Sequence, residues 1–222
     1  KVIAEYWADG PSSELPPGHW TLFATRVSER DSHNIDQDVK MFFALTNAIF
    51  DASIVSWDAK RHFDYVRPVT AIHFLFSGQQ IPSWQGLIDG ANWRPYQAES
   101  VVTPPFPEYF SGHSIFSAAG AETLKLITQS DHFGHKVVIH AGSSRVEPGE
   151  VPAKDLTLYW ATFSDAADEA GISRRYGGIH FIDGDLNARS LGRVVAQNAW
   201  KQTVKYFNDK KYAVKDETKD ED

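Results

Sequence analysis

The sequence predicts an all-α protein, a helical bundle with long loops gathered over one end. Three observations carry this. Four segments repeat apolar residues at spacings of three and four, the period of a helix with one buried face. The stretches between them are long and rich in Pro, Gly and Trp, as loops on a rigid scaffold are. A composition 42% hydrophobic and 13% aromatic over 222 residues is enough for one well-packed domain.

In chain order, the first periodic segment is "IDQDVKMFFALTNAIFDASIVSWDAKRHF", with Met41, Leu45, Ala48, Ala52 and Val55 on one face. Asp36 and Asp38 near its start favour a helix N-terminus. Pro68 restricts Arg67 and ends or bends the helix there. "PSWQGLIDGANWRPYQAESVVTPP" reads as a long loop. "SIFSAAGAETLKLI" is the second helix, through Phe116, Ala119, Thr123 and Leu126, and its small residues permit close packing. An irregular segment follows, "SDHFGHKVVIHAGSSRVEPGEVPAKD", with one short strand at Lys136–His140. "LTLYWATFSDAADEAGIS" reads as the third helix, on Trp160, Phe163, Ala167 and Ala170. The fourth is "DGDLNARSLGRVVAQNAWKQTVKYF", on Leu191, Val194, Val195 and Ala199. Residues 1–209 are expected to form one helical domain and residues 210–222 a charged, disordered tail.

A net charge of −7 argues against nucleic acid or an anionic membrane surface as the main partner. No uninterrupted apolar run approaches the ~18 residues of a membrane span, and the start "KVIAEYWADG" lacks a signal-peptide pattern. Zero cysteines exclude disulfides and thiolate metal sites. Their absence fits an exported protein and equally an enzyme that must survive oxidants.

The chemistry starts in "PPFPEYFSGHSIFSAAGAETL". Three prolines stiffen the approach, Gly112 lets the backbone come close to a guest, and a helix entrance offers unpaired N–H groups to an anion. Ser111 and His113 flank that glycine. Lys60 and Arg67, seven residues apart, would project from one face of a helix, among Trp57, Phe63, Val66 and Val69. In "ISRRYGGIHFIDGD", Gly177 and Gly178 allow a reversal that turns Arg174 and His180 toward one point. Three cations, two imidazoles and a helix entrance suit a highly charged oxyanion such as phosphate or vanadate.

These motifs, Lys60-x6-Arg67-Pro68, then "FPEYFSGHS", then Ser173-Arg174-x5-His180, resemble those of the vanadium-dependent haloperoxidases and their relatives, the type 2 phosphatidic acid phosphatases. Together with the opening "IAEYWADGPSSELPPGHW", the longer strings are more similar to the haloperoxidase branch. The resemblance runs from about residue 3 to residue 207, and its members are usually longer at the N-terminus. It implies a helical bundle of the haloperoxidase and acid phosphatase type, with vanadate as cofactor and phosphate able to take the same site. Lys60, Arg67, Arg174, Ser111 and the Gly112 N–H would hold the vanadate oxygens. His180 would be the direct ligand to vanadium. His113 would be the general acid–base, and Lys60 would also polarise the peroxide. Trp57 and Phe106 would shape the halide side. The implied partners are hydrogen peroxide, a halide and a small organic acceptor, with no nucleic acid and no membrane span; a homo-oligomer is compatible with all of this. In the phosphatase branch His180 would instead be the nucleophile and His113 would protonate the leaving group.

Two positions depart from the resembled pattern. The Asp expected four residues beyond His180 is Gly184, flanked by Asp183 and Asp185, which leaves the carboxylate orienting the imidazole to one of these, Asp185 first. Phe110 stands where proline is usual. Elsewhere the plainer reading holds. His62 and His73 are packing or surface groups. His132, His135 and His140 lack the helix or cysteines of a zinc site. Asp165, Asp168 and Glu169 solvate a helix or pair with an arginine. A haloperoxidase, a phosphatase on the same scaffold and an oxyanion-binding domain without catalysis remain as readings, and bromide or iodide needs less oxidising power than chloride.

Overall fold

The computed structural model describes residues 1–10 and 13–208, so the 210–222 tail lies outside the described residues. Its central element is α5, Gly112–Thr128, in which every residue from Ser114 to Leu124 is buried. Small residues make this feasible. A Cβ on Gly120 would sit 2.7 Å from the Trp20 ring, and one on Gly192 would sit 2.5 Å from the Ile115 carbonyl oxygen. Neighbouring helices can therefore press directly against the α5 backbone.

Around α5 stand α2 (Leu15–Asp31), α3 (Ile35–Phe63), α6 (Phe163–Tyr176) and α7 (Ile182–Asn208). α3 begins at a capping box, Asn34 with Gln37, and buries Met41, Ala44, Leu45, Ala48 and Ala52 as the periodicity predicts. Its outer face exposes Val39, Phe43, Phe50 and Ile54. By length and composition the stretch Ile35–Phe76 passes as a membrane span, as the core helix of a bundle often does. This qualifies the expectation from uninterrupted apolar runs. Here its inner face is bundle core.

Several elements differ from their sequence expectation. α3 stops at Phe63, where Asp64 takes a left-handed conformation, and Pro68 opens a separate helix, α4 (Pro68–Phe76). The 82–105 loop contains part of a hairpin, β1 (Gln80–Ser83) against β2 (Gly86–Asp89), and a 3-10 turn at Gly90–Asn92. The short strand is longer, β3 (His132–Ile139), and pairs antiparallel with β4 (Leu156–Thr162). The latter was expected to be the first turns of a helix. Leu158 and Trp160 alternate inward while Thr157 and Tyr159 face out, a period of two that wins over the single helical coincidence of Trp160 with Phe163. α6 starts only at Phe163, behind a Thr162–Asp165 capping box. On α7 the buried face runs Ala188, Gly192, Ala196, Ala199 and Thr203, so Val194 is exposed. Two N-terminal helices, α1 (Val2–Tyr6) and α2, had no sequence expectation.

Candidate active site

The end of α3 and the turn behind it deliver two cations. Lys60 is 1% exposed, and its Nζ donates to the carbonyl oxygens of Pro107 at 2.9 Å and Glu108 at 3.0 Å. Arg67 is extended, as a residue before proline must be, and caps α4. Its Nε donates to the Phe106 carbonyl at 2.9 Å and its NH1 to Ile179 at 3.0 Å. Lys60 and Arg67 therefore do not share a helix face, as their spacing predicted. They meet because the chain turns at Asp64 and both reach over the same loop.

That loop is the proline-rich approach to α5. It is clasped on both sides by backbone bonds, Glu108 N–H to the Tyr65 carbonyl at 2.9 Å and Ser111 N–H to the Gly184 carbonyl at 2.9 Å. Ser111 caps α5 by accepting from the Ser114 N–H. The N–H groups of Gly112 and His113, the first two in the helix, have no carbonyl ahead of them. A Cβ on Gly112 would meet only ordinary contacts, Phe116 at 3.5 Å and Trp57 at 3.9 Å, so packing does not demand glycine there. Trp57 and Phe106 lie together with centroids 5.4 Å apart. The Phe106 ring faces Lys60 Nζ at 5.2 Å and the Arg67 guanidinium at 5.1 Å.

The third segment leaves α6 through Gly177 and Gly178. Gly178 has φ +73, and a Cβ there would also strike Trp93 at 2.8 Å. The turn carries the Ile179 N–H back to the Arg174 carbonyl at 3.1 Å and places His180 behind it. His180 Nε2 lies 3.0 Å from Arg67 NH1, and Nδ1 lies 2.5 Å from Glu108 Oε1. Arg174 NH1 donates to the Trp7 carbonyl at 2.5 Å.

Comparison with known proteins gives the family and the fold. Residues 40–209 match the family model described as the VCPO second helical-bundle domain. The chain belongs to the vanadium haloperoxidase family. Among solved structures it is similar to a holo-type bacterial vanadium-dependent chloroperoxidase (25% identity, TM-score 0.79, 91% of this chain and 44% of that one). The apo-type bacterial chloroperoxidase gives 26% identity, TM-score 0.80 and coverage of 92% and 44%. A bacterial vanadium-dependent iodoperoxidase gives 28%, 0.69, and 90% and 42%. The chain thus spans less than half the length of these relatives. No curated protein matched the sequence.

In this haloperoxidase-family chain the electrostatics follow from burial. Desolvation, then the neighbouring Arg67, pushes the Lys60 ammonium down to about 7, against the pull of Glu108. Burial likewise lowers the Arg67 and Arg174 guanidiniums to about 10. The His180 imidazole is held well below its ordinary value by burial and then by Arg67, Lys60, Arg174 and His113. Arg67 lies against His180, with its NH1 3.0 Å from Nε2, and both it and Lys60 bond to the loop that enters α5. Three buried cations without enough counter-charge favour an anionic guest.

One of the donors bears on whether such a guest fits. Arg174 Nε is buried and forms no hydrogen bond among the described residues. Native interiors seldom leave such groups unpaired. With the first N–H groups of α5, it fits a tetrahedral or trigonal-bipyramidal oxyanion.

Sequence reasoning missed two carboxylates. Asp9, from the segment after α1, sets Oδ2 3.3 Å from His113 Nε2 and Oδ1 3.2 Å from His19 Nδ1. Burial opposes its ionisation, but His113 and His19 outweigh that and hold it far below the usual carboxylate range. Burial, then Arg174, lowers His113 to about 4. Tyr6 steadies the far nitrogen of His19 at 3.1 Å. The second is Glu108, on His180. The carboxylate expected there was Asp185 or Asp183, and the structure corrects this. Asp185 is fully buried but grips Arg189 at 2.7 and 2.6 Å and Ser114 Oγ at 2.9 Å. Asp183 is exposed, beside Phe63, Tyr65 and Phe181. Of the remaining acids, Asp168 pairs with Arg193 at 2.9 Å, and Glu169 accepts the indole N–H groups of Trp7 and Trp160.

Proposed function

We propose that this chain carries the oxyanion site of a vanadate-dependent haloperoxidase. What supports the reading is Arg67 against His180, Lys60 and Arg67 bonded to the loop that enters α5, His113 in the first turn of α5 and the glycine turn that joins Arg174 to His180, with the family membership behind them. Lys60, Arg67, Arg174, Ser111 and the Gly112 N–H would hold the oxygens, and His180 Nε2 would be the ligand to vanadium. Bound vanadate supplies a Lewis-acidic centre that activates hydrogen peroxide toward halide.

The chain's own groups then have defined tasks. His180, kept neutral, presents an Nε2 lone pair. His113, backed by Asp9, stands at the helix entrance and would serve as the general acid–base. Lys60 supplies positive charge beside the peroxide. Trp57 and Phe106 give a weakly hydrating wall for a large halide, bromide or iodide. The reaction balances as halide, hydrogen peroxide and a proton giving hypohalous acid and water, the halide losing two electrons to the O–O bond. The hypohalous acid then halogenates an organic acceptor.

A phosphatase reading has one supporting observation, the same unprotonated Nε2, which also suits a nucleophile toward phosphorus. One experiment separates the two. The protein is incubated with orthovanadate, peroxide and each halide with a halogen-accepting dye, and without vanadate it is assayed on a phosphate monoester. Dye halogenation that needs all three components is the expected result. Ester hydrolysis blocked by vanadate, with no halogenation, would replace this reading by the phosphatase. Vanadate binding with neither activity would leave an oxyanion-binding domain.

A further inference from the structure

We propose that Glu108 is the positioning residue of His180, and that Gly184 is glycine because the Glu108 carboxylate occupies the place a side chain there would take. The inference rests on the reading of His180 as the residue that faces the oxyanion.

The geometry fixes the imidazole from both sides. Arg67 NH1, 3.0 Å from Nε2, can only donate, so Nε2 carries the lone pair. The ring proton therefore sits on Nδ1 and is donated to Glu108 Oε1 at 2.5 Å. The same oxygen accepts the Phe181 N–H at 3.1 Å, which marks it as an acceptor. The tautomer with an unprotonated Nε2 is thus dictated by one carboxylate and one guanidinium, and among the described residues no other acid pairs with the ring.

Glu108 is itself held. It has 0% exposure, its N–H is bonded to Tyr65 at 2.9 Å, and its carbonyl accepts from Lys60 at 3.0 Å. The carboxylate reaches His180 across the start of α7. A Cβ on Gly184 would lie 2.1 Å from Oε1 and 2.7 Å from Oε2, inside the carboxylate. A side chain at 184 and the Glu108 head therefore exclude each other. An acid rooted at either position would occupy the same space beside Nδ1.

That exclusion defines the test. Glu108→Ala, Glu108→Gln, Gly184→Asp and the double variant Glu108→Ala/Gly184→Asp are compared with wild type. Folding is checked by circular dichroism, orthovanadate affinity by calorimetry, and the His180 tautomer by ring ¹⁵N resonances assigned with His180→Ala. Glu108→Ala is expected to lose the single tautomer and about 10- to 100-fold in vanadate affinity, the usual cost of removing an acid behind a ligating histidine. Glu108→Gln should lose about tenfold or more on the same basis. Gly184→Asp alone should also weaken binding, whereas the double variant should recover the tautomer and most of the affinity. Affinity within about twofold of wild type in both Glu108 variants, or a folded double variant no better than Glu108→Ala, would overturn the proposal. Neither readout needs turnover. Vanadate binding without halide oxidation in wild type would sink the haloperoxidase reading and leave Glu108 standing. If wild type bound no oxyanion, that reading of the site would fail, and the tautomer comparison alone would decide Glu108.

Discussion

At the scale of single residues, the site is a contest between burial and charge. Lys60 shows it most directly, since its ammonium is lowered to about 7 by burial and by Arg67. A dianion favours the charged form, so binding must raise that value and take up a proton. Affinity for sulfate, whose own charge is fixed, should be greatest below about pH 7 and fall as pH rises above it, by at most about tenfold per unit. Arg67 and Arg174 keep their charge to about 10, and His113, near 4, stays neutral over this window. Calorimetry in buffers of different ionisation enthalpy counts the proton. Lys60→Met, which leaves Glu108 in place, should abolish the slope; a slope unchanged in that variant would assign the proton elsewhere. The two imidazoles should also part company. His180→Ala is expected to abolish tight vanadate binding, and His113→Ala to lower turnover far more than affinity. Equal vanadate affinity in His180→Ala and wild type would refute the ligand assignment.

At the scale of elements, the glycine turn after α6 is the sharpest constraint. Gly178 combines φ +73 with the Trp93 ring 2.8 Å from any Cβ, so Gly178→Ala meets both backbone strain and a clash. We expect a loss of about 1–3 kcal/mol in stability by denaturant unfolding. Oxyanion affinity should fall with it, because the turn sets His180 against Arg174. An unaltered midpoint would mean that the turn relaxes freely. The same scale shows what was legible in the sequence. Periodic segments with one buried face, such as Met41 through Ala52, named their helices directly. The Leu156–Thr162 strand was hidden because seven residues can satisfy both periods, and its partner β3 lay across an irregular stretch. Lys60 and Arg67 were found by their spacing, although the chain turns between them. Glu108 was in plain view in "FPEYFSGHS", yet its bond spans 72 residues and lies in a loop with no period to interpret. Asp9 escaped for the same reason.

At the scale of the whole molecule, the N-terminal segment closes the site from outside the bundle. Trp7 offers its carbonyl to Arg174 and Asp9 meets His113, while Trp7 itself packs on His19 and Trp160. Asp9 titrates far below the ordinary carboxylate value, so its stabilising contribution is complete above about pH 4 and is lost as pH falls toward its folded value. Wild type should therefore show a loss of thermal stability on acidification that is shallower in Asp9→Asn. Identical acid profiles would show that the segment is held without that charge.

The sheathing of α5 has a consequence of its own. A rod buried from Ser114 to Leu124 passes a push toward its less buried ends more readily than sideways into close-packed neighbours. One extra methyl at Gly120, wedged against Trp20 two turns from the entrance, would therefore be registered as a displacement of the Ser111–Gly112 amides. Distant, chemically silent changes along this rod should tune how tightly the mouth grips its guest.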